Sequence, residues 1–145
     1  MRMKPVILSL AVIGVAMLTA VPVRAHHAFA AEFDSDRPVK MKGTVTKVEW
    51  TNPHSWVYLD VKTADGRVEN WSFETAAPGA LARRGFTKDY LKPGTEIVVE
   101  GFMSKGVPRR ANGRDVFFPD GRRLFLGSSG TGAPLDGKDP SEPKK

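Results

Sequence analysis

The fold depends on a turn between two predicted strands, in the stretch Glu49-Trp50-Thr51-Asn52-Pro53-His54-Ser55-Trp56-Val57-Tyr58-Leu59-Asp60-Val61. Proline fixes its own φ and biases the residue before it toward extended backbone, so Asn52-Pro53 marks the bend. The residues after the bend alternate, which is typical of a half-buried strand. One face of this strand is apolar: Val57, Leu59 and Val61. The other is aromatic and polar, with Trp56, Tyr58 and Asp60, and we expect His54 at its rim.

The same alternation predicts four further β segments, at residues 39–50, 68–75, 96–103 and 115–126, the last being one strand or a hairpin. In the first segment the alternation slips between Val45 and Val48, which indicates a bulge or a strong bend. Between the third and fourth segments, Pro78 and Gly85 are typical of the start and the end of a short helix. A second helical turn is expected at 87–91.

Three strands, a short helix and two further strands predict a mostly β protein, a small OB-type five-stranded β-barrel with one short helix. A flat meander with a flanking helix is the alternative. The strand alternation predicts a buried core that contains Val45, Val57, Leu59, Val61, Phe73, Ile97 and Val99.

The N-terminus has the pattern of a secretory signal peptide at residues 1–25. Basic residues precede an apolar run from Pro5 to Leu18, and small residues end the segment. Its removal takes three basic residues and lowers the formal net charge from +6 to +3. This modest excess does not favour a nucleic-acid partner. A cut after Ala25 is predicted, and a cut after Ala30 is the alternative.

These features predict a protein exported to the periplasm or secreted, which meets the membrane only through its transient signal peptide. The chain contains no cysteine, which rules out disulfides and thiolate chemistry. An N-terminal arm is expected at 26–38 and the β-barrel domain at 39–126. Glycine, serine, proline and charged residues dominate 127–145, which predicts a disordered tail.

Five blocks of the sequence resemble the domain-of-unknown-function family 6152, a family of small exported bacterial proteins. They are HHAFAAEFD, KGTVTKVEWTNPHSWVYLDV, ENWSFE, LKPGTEIVVEG and GRDVFFPDGRRLFLG. The resemblance covers about residues 26 to 127. It implies export and a small β domain, and it implies no mechanism.

A cut after Ala25 makes His26 the first residue of the mature chain, followed by His27. A free α-amine near pKa 8 and the imidazole of His26 together chelate a divalent metal, and His27 or His54 supplies a third nitrogen. Nitrogen ligands favour copper(II), with zinc next. His26, His27 and His54 are therefore the candidate metal site, with copper as the candidate cofactor. The alternative is that the two adjacent histidines are solvated residues of the arm.

The aromatic and basic residues predict a second kind of site, for an unidentified ligand. On an OB-type barrel, exposed aromatics stack on rings while basic loops hold anionic groups. The predicted ligand-binding residues are Trp50, Trp56, Tyr58, Arg109 and Arg110. A glycan, an anionic lipid head group or another envelope protein fits an exported protein better than nucleic acid does. The alternatives are that the tryptophans belong to the core and the arginines to a solvated face.

Hydrolase motifs are missing from the sequence, which has no nucleophile elbow, phosphate loop or metalloprotease helix. The leading hypothesis is therefore a non-enzymatic exported binding module. The alternative is a periplasmic copper-binding or copper-delivery protein.

Overall fold

The computed structural model describes Phe29 and residues 31–127. Within them, the chain forms six strands, β1 (Phe33–Glu49), β2 (Trp56–Lys62), β3 (Val68–Glu74), β4 (Glu96–Ser104), β5 (Arg110–Phe117) and β6 (Arg123–Phe125). Between β3 and β4 lie a short helix, α1 (Pro78–Arg83), and a 3-10 turn (Lys88–Leu91). The described part of the chain is therefore mostly β, with one short helix between β3 and β4, as the sequence predicted.

The strands are ordered β3-β2-β1-β4-β5-β6, and β3 also pairs with β5. The neighbours in this order are antiparallel. The β3–β5 pairing is parallel and runs from Ser72 opposite Arg110 to Glu74 opposite Asn112. β3 stands at one end of this order, so its extra pairing with β5 closes a ring. The ring contains the five strands β1, β2, β3, β4 and β5.

A bulge lets the long strand β1 serve two partners. Its early part pairs with β4, its late part pairs with β2, and the register shifts between Val45 and Lys47. An inserted residue bends a strand and increases its twist, so the bulge turns β1 from one partner toward the other. Gly43 lies near this bend, and a Cβ there would stand 2.8 Å from the carbonyl oxygen of Asp60. The predicted slip in alternation is confirmed.

The inward faces of the strands enclose one core. It includes Val45, Val57, Leu59, Phe73, Ile97 and Val99, each at most 2% exposed. Leu81 of α1 and Leu91 of the 3-10 turn add to it. This confirms six of the seven residues predicted for the core. Val61 is only partly buried, because it lies near the end of β2, beside the turn at Asp65-Gly66, where less of the core remains to cover it.

Three details of the predicted elements need correction. β1 begins at Phe33, so residues 33–38 of the predicted arm belong to the sheet, where Pro38 lies opposite Phe102. β5 begins at Arg110, ahead of the segment predicted at 115–126, because the parallel pairing with β3 fixes its first residues. The region predicted as one strand or a hairpin is a hairpin of β5 and β6, which makes six strands instead of five.

The predicted signal peptide, both predicted cut sites and the tail after Gly127 lie outside the described residues. Among the helices of Phe29 and 31–127, none is long and apolar enough to cross a membrane.

Candidate functional site

The side chains of His54 and Glu74 are in direct contact at the end of the first hairpin. His54 lies in the loop between β1 and β2, and its Nδ1 faces Oε1 of Glu74, the last residue of β3. Hydrogen bonds hold this loop on both sides of His54. The hydroxyl of Thr51 donates to the carbonyl of His54 at 3.0 Å, and the N–H of Ser55 donates to the carbonyl of Ala76 at 3.1 Å. His54 is therefore held beside β3.

Glu74 is a buried carboxyl group in a polar setting. Its side chain is 10% exposed, whereas that of His54 is 37% exposed. Burial raises the pKa of Glu74, and the negative charge of Glu32 raises it further, while His54 and Arg110 lower it. Since Glu32 directly precedes β1, the start of the described chain lies close enough to act electrostatically on this site.

Arg110 and Trp56 flank Glu74 on the outward face of the ring. Trp56 lies opposite Glu74 in the β2–β3 pairing, and the guanidinium of Arg110 stands 4.8 Å from the centre of the Trp56 ring. A cation over an aromatic face is attracted to the ring electrons. One side of this site is therefore aromatic, and the other carries an acid, an imidazole and a guanidinium.

Three buried polar atoms of the described residues have no hydrogen-bond partner: Ser55 Oγ, Arg110 Nε and Asn112 Oδ1. All three residues lie beside the His54–Glu74 pair in sequence or in strand register. Ser55 follows His54, Asn112 lies opposite Glu74, and Arg110 lies two residues before Asn112 on β5. Buried polar atoms are nearly always hydrogen-bonded to protein, water or a ligand. Unsatisfied hydrogen-bonding capacity is thus concentrated here.

A row of outward-facing residues runs across four strands and connects this site to the chain before β1. Phe102, Asn112, Glu74 and Trp56 lie opposite one another in turn, on β4, β5, β3 and β2. The ring of Phe29 packs edge-on against Phe102, with their centres 5.7 Å apart. Phe29 is therefore anchored on the same face that carries Glu74.

The remaining predicted ligand residue of β2, Tyr58, lies on the outward face beside a charged pair. Its hydroxyl donates to Glu49 at 3.1 Å, and the ammonium of Lys47 stands 5.4 Å from its ring centre. Burial and Glu49 raise the pKa of Tyr58. Glu49 itself also bonds to Lys47, which lowers the pKa of this carboxyl. Tyr58 is thus held in place by Glu49 and Lys47.

Trp50 and Arg109 lie apart from this group. Trp50 packs against the core, with its ring centre 5.7 Å from that of Phe86. Arg109 is exposed in the β4–β5 loop with φ of 52°, and its carbonyl accepts the N–H of Ser72 at 3.0 Å. Of the predicted site residues, the structure thus brings together His54, Trp56 and Arg110. Tyr58 lies on the same face, whereas Trp50 packs against the core.

His26 and His27 of the predicted metal site lie outside the described residues. Within Phe29 and 31–127, no three or more His, Cys, Asp or Glu side chains are grouped to hold a metal ion. His54 is the only predicted metal ligand whose surroundings are described. There it has a carboxylate partner, which is the usual companion of a metal-binding histidine.

Sequence reasoning missed Glu74 and Asn112 as site residues. One feature of the sequence could have indicated Glu74. It follows Phe73 in the third predicted strand and must therefore point away from the core. Asn112 carried none, since it was expected in a loop. Only the parallel pairing of β3 with β5 places it beside Glu74.

The fold and site together define a small, mostly β protein with a buried acid–imidazole pair on the outward face of a closed strand ring. The sequence model of a family of unknown function, DUF6152, matches residues 14–112. The chain belongs to this family, as the sequence resemblance indicated. No curated protein and no solved structure matched the chain.

Proposed function

We propose that the protein is an exported, non-enzymatic binding module built on an OB-type β-barrel. The strand ring and the helix between β3 and β4 support this assignment. OB-type barrels bind ligands on the β2–β3 face, between the β1–β2 and β4–β5 loops. In this protein His54 lies in the first loop, Arg110 follows the second, and Trp56 and Glu74 lie on the face between them.

The observation that carries this proposal is the group of unsatisfied polar atoms beside an aromatic ring. Arg110 Nε is a donor and Asn112 Oδ1 an acceptor, and both lack a partner in the described part of the chain. A ligand that offers hydroxyl and carbonyl groups next to an apolar face packs on Trp56 and reaches these two buried atoms once the side chains that cover them shift. This is the chemistry of a glycan, and we propose this ligand class for the site.

A glycan microarray probed with the mature protein tests the proposal. We expect binding that Trp56→Ala and Arg110→Ala each weaken at least tenfold, because the first loses ring stacking and the second loses charge-assisted hydrogen bonds. Val68→Ala is the matched control, since Val68 is 63% exposed on β3 and lies away from the site. Binding that both site variants leave intact, or no binding to any glycan, would contradict the proposal.

A second candidate function is copper(II) binding by His26, His27 and His54. The contact between His54 Nδ1 and the Glu74 carboxyl favours it, because carboxylates commonly orient metal-binding histidines in this way. The anchoring of Phe29 on the same face also favours it.

Native mass spectrometry of the mature protein, with and without copper(II), tests this candidate and identifies the cut site. We expect the mass of a chain that starts at His26, and an added mass that corresponds to one tightly bound copper ion. His54→Ala and one extra residue before His26 should each weaken copper binding, the latter because it removes the chelating amine from the His26 ring. If both leave the affinity unchanged, copper is not bound at this site.

A further inference from the structure

We propose that a groove across β1, β4 and β5 binds a small organic acid, and that Arg114 holds the carboxylate of this ligand. The groove is open to solvent, has a volume of about 340 Å³, and is lined by residues 38–40 of β1, residues 100–102 of β4 and Arg114 of β5. This volume lies at the lower end of the range for small-molecule sites. The groove uses none of the residues proposed to bind a glycan or copper, so the inference rests on neither proposal.

A β-bulge brings Arg114 to the groove. The register between β4 and β5 shifts between Glu100 and Gly101, and Arg114 is the extra residue of β5 without a partner on β4. Such an insertion redirects the side chain of the extra residue. The bulge is held in place from the chain after β6, because the carbonyl of Arg114 accepts the N–H of Leu126 at 2.6 Å.

Asp115 and Phe102 fix the guanidinium of Arg114. Nε of Arg114 donates to Oδ2 of the fully buried Asp115 at 2.7 Å. The guanidinium also stands 5.8 Å from the ring centre of Phe102, which the ring of Phe29 supports edge-on at 5.7 Å. A side chain that is already held in place loses little further freedom when a ligand binds, and this pre-organisation favours affinity.

The outer edge of the Arg114 guanidinium is available to a ligand. Asp115 contacts Nε alone, and among the described residues neither Nη atom of Arg114 has a hydrogen-bond partner. Arg123 differs, because it gives both Nε and Nη2 to Asp115. The side chain of Arg114 is 26% exposed, so solvent reaches it. Its two Nη atoms present parallel N–H groups, which match the two oxygens of a carboxylate.

The charges in and beside the groove favour a ligand with one negative charge. They are three cations and two carboxylates: Lys40, Arg114, Arg123, Glu100 and Asp115. Lys40 pairs with Glu100 at 2.9 Å, and Asp115 holds both arginines, which leaves an excess of one positive charge. Glu100 repels an anion of higher charge more strongly, which disfavours phosphate and sulfate. A monocarboxylate fits this balance.

Two rings beside Arg114 determine the body of the ligand. Pro38 lies opposite Phe102 in the β1–β4 pairing, so their side chains share one face of the sheet, and both residues line the groove. A flat or aliphatic group packs on these rings while its carboxylate reaches Arg114. The ligand class is therefore a carboxylate on a small apolar body, and benzoate is a suitable probe.

A ¹H–¹⁵N NMR titration of the mature protein with benzoate tests the inference. We expect saturable binding with a dissociation constant of about 1 mM or lower for a ligand of this size, and the largest amide shifts at Gly101, Phe102 and Arg114. Benzamide has the same shape without the charge and should bind at least tenfold more weakly. The inference is wrong if benzoate does not bind, or if the largest shifts lie at Trp56 and Arg110 instead.

Variants of Arg114 separate ligand binding from a purely structural role. Arg114→Gln should weaken benzoate binding at least tenfold, because two charge-assisted hydrogen bonds are lost. Arg114→Lys keeps the charge without the paired N–H groups, so we expect an intermediate affinity, and it carries the comparison if Arg114→Gln does not fold. Arg67→Gln is the matched control, since it removes an exposed arginine that also pairs with a nearby acid, Asp65, and should leave the affinity unchanged. Folded Arg114 variants that bind benzoate like the wild type would show that Arg114 only supports Asp115.

Glucuronate separates two sources of the carboxylate, a free apolar acid and the acidic sugar of a glycan. Its carboxylate can reach Arg114, but its hydroxyl groups gain nothing from Pro38 and Phe102. We therefore expect glucuronate to bind more weakly than benzoate in the same titration. Tighter binding of glucuronate would overturn the assignment of an apolar acid and would place a sugar acid in the groove.

Discussion

Glu74 and Asn112 lie directly opposite each other in the parallel pairing of β3 with β5, although 38 positions separate them in the sequence. The Asn112 amide donates to the Glu74 carbonyl at 3.5 Å. This pairing closes the strand ring and also completes the candidate site. Residues from the first hairpin meet residues of β5 only because the ring closes at this place.

The contact between the His54 imidazole and the Glu74 carboxyl predicts an energetic coupling of the two side chains. His54→Ala should lower the free energy of unfolding at pH 7 by about 1–3 kcal/mol, because it leaves a buried carboxyl without its partner. In a Glu74→Gln background, the same His54→Ala change should cost much less. Urea unfolding of the wild type, both single variants and the double variant measures the coupling. Additive effects would show that the two side chains do not stabilise each other.

The raised pKa of Glu74 predicts a distinct dependence of stability on pH. Since the folded-state pKa lies above the ordinary value of 4.5, the folded state binds the proton more tightly than the unfolded state does. The stability from this group is fully present below pH 4.5 and is lost as the pH rises through the folded-state value.

The clearest comparison is between His54→Ala and His54→Ala/Glu74→Gln, because no imidazole then titrates beside the carboxyl. The single variant should lose stability relative to the double variant as the pH rises above 4.5, and urea midpoints measured from pH 4 to 8 test this. Asp36→Asn, at an exposed position of β1, serves as a control for general charge effects. A constant difference between the two variants at every pH would contradict the raised pKa.

Gly101 predicts a steric requirement at the β4–β5 contact. A Cβ at this position would stand 1.7 Å from the carbonyl oxygen of Asn112, which is far inside van der Waals contact. Gly101→Ala should therefore destabilise the protein by about 3 kcal/mol or more, since backbone must move. That loss corresponds to a drop of about 10 °C or more in Tm. Gly106→Ala is the control, because nothing lies within 4 Å of its added Cβ. Equal Tm values for the two variants would show that β4 and β5 do not approach so closely.

Asp115 is a buried carboxylate paired with two arginines, so its removal should lower the stability of the folded protein. Its carboxylate is fully buried and accepts hydrogen bonds from Arg114 at 2.7 Å and from Arg123 at 2.8 and 3.0 Å. Asp115→Asn should lower the free energy of unfolding by about 1–3 kcal/mol, because the buried amide cannot replace the charge-assisted hydrogen bonds that the carboxylate accepts. Asp120→Asn breaks a comparable but exposed pair with Arg122 and should change stability little. Urea unfolding that ranks the two variants in the opposite order would refute this difference.

Strain at Arg109 predicts that glycine is better tolerated there than arginine. Its φ of 52° lies in the left-handed region, which costs a residue with a Cβ about 1–2 kcal/mol. Arg109→Gly should preserve or raise Tm, whereas Arg109→Val should lower it because β-branching worsens the clash. Neither change should affect ligand binding if Arg110 and not Arg109 belongs to the site. Loss of binding in Arg109→Gly would instead place Arg109 in the site.

The sequence by itself determined the mostly β fold, the family and most of the core. Alternation at Val57, Leu59, Phe73, Ile97 and Val99 predicted inward faces correctly, because the side chains of a strand point alternately to its two sides. Gly85 likewise predicted the end of the short helix, since it has the positive φ that glycine favours. The slip after Val45 likewise predicted the bulge in β1.

Only the tertiary structure decided which residues form the candidate site. Periodicity states which side of a strand a residue faces, and it carries no information about which distant strand lies beside it. The pairing of β3 with β5 brought Asn112 and Arg110 to Glu74, and the packing of Phe86 drew Trp50 toward the core. The partner of His54 was hidden for the same reason, because the contact with Glu74 exists only once the first hairpin and β3 have packed together.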